Sequence, residues 1–71
     1  MSPSELLAMR RCDREVFGEL LDLEGRESVF YDLRYIERLS LQQIADRMGL
    51  AYSTISHVSA DVRRRIAALD V

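Results

Sequence analysis

The chain has 71 residues, of which 48% are apolar and 31% charged, with one proline, three glycines and one cysteine. A folded chain of this length buries only about 60% of its unfolded surface, so a single small domain over residues 1–71 is expected, with little core left for a catalytic cleft. The lone Cys12 excludes an intrachain disulfide, and one cysteine with one histidine excludes a Cys/His zinc centre.

All ten basic residues are arginine, set against twelve acids. Residues 1–33 carry a net charge of −4 and residues 34–71 a net +2, so any contact with phosphate is expected from the C-terminal half. A free thiol suits a reducing compartment. No run approaches the ~18 apolar residues of a membrane span, and the N-terminus lacks a basic-then-apolar signal. A cytoplasmic protein with no membrane partner is the expectation.

The pattern predicts an all-α chain with helices at roughly 5–24, 26–38, 41–48 and 52–69, and no alternation that would make a strand. Ser4 serves as the expected N-cap of the first helix, with Glu5 in its first turn. Met9, Cys12, Val16, Leu20 and Leu23 then form its inward stripe, and Gly25 ends it. Leu6, Leu7, Phe17 and Leu21 widen the apolar arc to roughly 220°, where a surface helix needs little more than ~100°. Those four residues are therefore expected to face a partner, either a second copy of the chain or a transcription component; a neighbouring loop or the tail 69–71 is the plainer cover. The second helix turns Val29, Phe30, Leu33 and Ile36 inward, with Tyr31 and Tyr35 packing one turn apart.

Local signals are strongest after residue 39. Ser40-Leu41-Gln42-Gln43 reads as a capping box, in which the serine hydroxyl covers one free amide and Gln43 reaches back to another. Leu41, Ile44, Ala45 and Met48 follow at i, i+3, i+4 and i+7, and Gly49 supplies the left-handed residue that stops the helix. Leu50 plugs the turn. The last helix starts near Tyr52, with Ile55, Val58, Val62, Ile66 and Leu69 inward. A short helix, a glycine turn and a longer helix spell a helix-turn-helix over residues 41–60.

Tested position by position, this segment resembles the bacterial helix-turn-helix pattern: Ala45 is the small residue at the crossing, Gly49 the turn, and Ile44, Met48, Leu50, Ile55 and Val58 the apolar offsets. From Val29 to Arg65 the chain is similar to the fourth conserved region of sigma-70-type factors, which reads the −35 promoter element. The residues that carry this are Val29-Phe30, Leu33-Arg34-Tyr35, Leu39-Ser40-Leu41, Ile44-Ala45, Met48-Gly49-Leu50, Ser53-Thr54-Ile55-Ser56 and the Arg63-Arg64-Arg65 run. LuxR-type domains share the four-helix arrangement. The resemblance implies a tetrahelical helix-turn-helix fold and a small regulator of bacterial or phage type that binds duplex DNA; a homodimer is expected because one reading head gives modest affinity. The chain departs from the family in three respects. It has no segment to hold a −10 element, it has Ala51 where a polar cap is usual, and it has no Arg or Lys early in the last helix.

If that helix enters the major groove, its N-terminal outer face meets base edges. Ser53, Thr54, Ser56 and His57 are then placed to bond bases or phosphates, Ala60 to touch a thymine methyl, and Arg63 and Arg64 to hold the backbone. Gln42 and Gln43, opening the third helix, reach phosphate. A solvated polar face is the plainer reading of the same residues. No nucleophile or acid/base constellation points to an enzyme, and no cofactor or metal is implied. The alternative function is a protein-interaction module that keeps the fold and binds RNA polymerase or another regulator. The acidic N-terminal half and the wide apolar face of the first helix favour it.

Overall fold

A computed structural model describes residues 1–69, and these are all-helical, with no strand among them. Five helices follow in order: α1 (Pro3–Ala8), α2 (Arg11–Leu21), α3 (Gly25–Tyr31), α4 (Leu41–Met48) and α5 (Tyr52–Ala68). One π-helical turn, Asp32–Ile36, continues α3 directly. α5 is the spine: α3, α4 and α1 all pack against it, while α2 lies against the π turn.

The single first helix expected over 5–24 is two helices. Met9 and Arg10 are both extended, with ψ of 162° and 156°, and the chain bends between them. α1 starts earlier than expected, because Ser2 rather than Ser4 is its cap. The Ser2 hydroxyl accepts from the Glu5 amide at 3.2 Å, the Glu5 carboxylate accepts from the Ser2 amide at 3.3 Å, and Pro3 takes the first helical position. α2 stops at Asp22, which is left-handed (φ 53°), and Gly25 opens α3 rather than closing the preceding helix.

The bend resets the phase of the second segment and reverses its two faces. The inward side of α2 is Arg14, Phe17, Gly18 and Leu21, at i, i+3, i+4 and i+7. Phe17 and Leu21, together with Leu6 of α1, are core residues, so these three expected partner contacts are withdrawn from the surface; Leu7 packs half-buried at the core's edge. Cys12, Val16 and Leu20, expected inside, are exposed, Val16 by 55% and Leu20 by 54%, while Met9 and Leu23 are partly buried.

Arg14 explains how a charged residue can sit inward. Only 5% exposed, its guanidinium donates from Nε to the Tyr35 carbonyl at 2.6 Å and from Nη1 to the Met9 carbonyl at 2.5 Å. One acceptor lies at the α1–α2 bend and the other in the π turn, where normal i−4 pairing is lost. The Tyr31 hydroxyl donates to the Arg14 carbonyl at 2.5 Å, and its ring stacks obliquely on Tyr35 with centroids 5.2 Å apart. The expected Tyr31–Tyr35 packing is present. Phe30 and Leu33 are buried and Ile36 half-buried as expected, but Val29 faces solvent.

α4 and α5 follow the sequence closely. Ser40 accepts from the Gln43 amide at 3.2 Å and the Gln43 side chain accepts from the Ser40 amide at 2.9 Å, completing the box. Gly49 is left-handed (φ 68°), and the Leu50 amide donates to the Ala45 carbonyl at 3.0 Å. Ile55, Val58, Val62 and Ile66 are buried along α5, and Leu69 packs at the margin of the core. Of the tail 69–71, only Leu69 falls among the described residues.

Candidate nucleic-acid interface

The turn between α4 and α5 occupies Gly49–Ala51, and Ala45 is buried on the side of α4 that faces the core. A methyl group there lets the two helices approach closely. The N-cap position of α5 is Ala51, whose backbone is extended and whose side chain caps nothing. Among the described residues, the first amides of α5 thus have no side-chain acceptor at the cap.

With Ile55, Val58, Ser59 and Val62 fixed inward, the outer face of α5 is set by periodicity. Ser53, Ser56, His57, Arg63 and Arg64 are exposed, whereas Thr54 and Ala60 are half-buried. Over ten residues at 1.5 Å each, the Ser53 and Arg63 positions stand about 15 Å apart along the axis. The face is therefore graded, neutral and hydrogen-bonding at its start and cationic at its far end. Tyr52, half-exposed at the first position of α5, belongs to the same end and was not singled out from the sequence. Aromatic residues opening a helix read as core until the phase of that helix is known.

The three arginines of the run differ in engagement. Arg65 turns toward the body, donating to the Leu21 carbonyl at 3.0 Å and pairing with Glu27 at 3.9 Å. Arg64 pairs with Asp61, one turn back on the same face. Among the described residues Arg63 forms no ion pair. Asp61 had no part in the expected interface, although its i, i+3 spacing to Arg64 was visible in the sequence.

On α4, Gln42 and Gln43 are exposed at the helix start, but both are partly engaged. The Gln42 amide donates to Asp46 at 3.2 Å, and the Gln43 carbonyl oxygen serves the cap, leaving its NH₂ group for any ligand.

The perturbed groups lie behind this surface. Burial pushes the Tyr31 phenol up to about 12, an effect reinforced by Tyr35 and partly opposed by Arg14. Tyr35 is also raised by burial, with Arg34 and Arg63 pulling the other way. Both are protonated phenols of core residues at neutral pH.

Among the described residues no helix is long and apolar enough to cross a membrane. Compared with known proteins, the chain matches no family model, no curated protein and no solved structure.

Proposed function

We propose that this chain is a small, non-catalytic transcription regulator whose α4–turn–α5 unit is a helix-turn-helix resembling sigma-70 region 4, and that α5 enters the major groove of duplex DNA. The observation that carries the reading is a short capped helix, stopped by a left-handed glycine and followed by a 17-residue helix with a graded outer face. Ser53, Ser56 and His57 at the start of that face have the reach and donors for base edges, and the arginines at its far end suit the backbone. Thr54 and Ala60, being half-buried, contribute at most a methyl contact with thymine. Gln42 and Gln43 meet phosphate from α4. Two-fold pairing of the chain would present two such heads to a palindromic site.

The test is fluorescence anisotropy of a labelled random-sequence duplex titrated at ~50 mM and ~200 mM salt, where several phosphate contacts weaken binding by orders of magnitude. Salt-sensitive binding, reduced by His57→Ala and Ser56→Ala on a selected site, supports the reading. Absence of binding at the lower salt contradicts it.

A second reading rests on a different observation. Val16 and Leu20 stand exposed on α2 beside a shallow apolar groove that Met1, Met9 and Phe17 also line. In this reading the chain is an interaction module that docks on RNA polymerase or another regulator through α2. Val16→Asp with Leu20→Asp then abolishes partner capture while leaving the fold and any DNA binding unchanged.

A further inference from the structure

The proposed DNA contact leaves open which arginines hold phosphate and what limits them. The face that carries Ser53, Ser56 and His57 continues down α5 as Ala60, Arg63, Arg64 and Ala67, again at i, i+3, i+4 and i+7. These four residues and Pro3 of α1 line an open groove of about 450 Å³. Its lining combines small apolar side chains with two arginines. Alanine and proline carry no side-chain acceptor to compete for the arginines, and their small size lets a phosphate approach closely. Among the described residues the acid paired with these arginines is Asp61, bonded to Arg64.

We infer that this groove is the seat for a backbone phosphate of duplex DNA, with Arg63 as the working contact and Asp61 as a built-in electrostatic brake that holds Arg64 out of use. The inference rests on the proposed DNA-binding function and deepens it. Arg63 is exposed and forms no ion pair among the described residues, so it neutralises a phosphate without breaking one of those pairs. Arg64 is equally placed on the face, but a carboxylate already balances it, and that carboxylate repels the incoming phosphate. Arg65, bound to the Leu21 carbonyl and Glu27, belongs to the fold. The seat lies about 15 Å from Ser53, far enough along the helix axis to meet the strand that flanks the groove rather than the bases within it.

Counterion release makes the assignment countable. Each phosphate neutralised contributes about 0.9 to the slope of log K against log salt. Slopes are measured with a labelled random-sequence duplex from ~50 to ~200 mM salt for the wild-type chain and three variants, each checked for helicity. Arg63→Ala should lower the slope by about 0.9, which is about 3.5-fold in the loss of affinity over that range. Asp61→Asn frees Arg64 and should raise the slope by a similar amount, tightening binding at low salt. Arg11→Ala removes the same charge from α2, where Arg11 pairs with Glu15, and should leave the slope unchanged. If the wild type binds but Arg63→Ala keeps its slope, if Arg11→Ala lowers it equally, or if Asp61→Asn leaves it unchanged, the inference is overturned and the DNA-binding reading stands. If the wild type shows no binding at ~50 mM salt, that underlying reading fails and this one with it.

Discussion

Replacing Gly18 by alanine puts two elementary effects in opposition, and the packing of α2 on α3 decides the sign. In an isolated helix the change is favourable by about 1 kcal/mol, because glycine is the poorer helix former. Here a Cβ at residue 18 would lie 2.5 Å from Cε1 and 3.0 Å from Cδ1 of Tyr31. Carbon atoms in contact normally stand about 3.5–4.0 Å apart. The ring has little room to retreat, since its hydroxyl is held by the Arg14 carbonyl and its other side meets Tyr35. Overpacking of this kind costs about 1–3 kcal/mol, and the pinned ring argues for the upper part of that range. The expected net result is a loss of about 1–2 kcal/mol. In a domain of this size that lowers Tm by roughly 5–15 °C. Thermal and urea unfolding followed by circular dichroism would measure it. The Gly18→Ala/Tyr31→Leu double variant supplies the control: with the ring gone, alanine at 18 becomes neutral or favourable, and the cycle shows a coupling of at least ~1 kcal/mol. A Gly18→Ala chain more stable than the wild type would refute the α2–α3 packing described above.

Other substitutions probe the remaining joints. Arg14→Met removes two charge-assisted hydrogen bonds and leaves the Met9 and Tyr35 carbonyls without this donor, an expected loss of about 2–4 kcal/mol in urea unfolding; Arg14→Lys, with one ammonium for two divergent acceptors, should recover only part. Ser40→Ala breaks the box at α4 and should cost about 1 kcal/mol, whereas Ala51→Ser supplies the missing cap of α5 and should add about 0.5–1 kcal/mol to the unfolding free energy. The raised Tyr31 phenol gives a pH signature. Its folded value, about 12, lies above the ordinary 10, so its contribution is complete below pH 10 and drains away as pH rises toward 12, where only the unfolded chain readily releases the proton. The urea midpoint should therefore fall between pH 10 and 12, and Tyr31→Phe should flatten that fall.

The C-terminal half was legible because its signals are local. A capping box, a left-handed glycine and an uninterrupted i, i+3, i+4, i+7 pattern each act within one or two turns, and the bounds of α4 came out as expected. The N-terminal half turns on long-range partners. Nothing at Met9-Arg10 resembles a helix breaker, and the bend is held by Arg14, whose acceptors include a carbonyl 21 residues away. With the bend unseen, one continuous phase ran through both helices. Arg14 and Gly18, the two residues that mark the true inward face of α2, then counted against it: one is charged and the other has no side chain. Gly18 is inward because a tyrosine ring on another helix fills its place. The π turn was hidden for a similar reason, since its unpaired Tyr35 carbonyl is tolerable only once Arg14 reaches it. For the interface, which residues lie on the outer face of α5 could be read from spacing. The Arg64–Asp61 spacing was there to be read as well, but the turn of Arg65 toward the protein body was not, because its partners Leu21 and Glu27 come from α2 and α3.

The central claim is that the outer face of α5 is the working surface, and mapping backbone amide shifts of the labelled chain during titration with a short duplex tests it most directly. The account predicts shifts concentrated at Gln42–Gln43, Ser53, Ser56, His57 and Arg63–Arg64, with α2 silent. Shifts centred on Val16 and Leu20, or none at all at low salt, would contradict it.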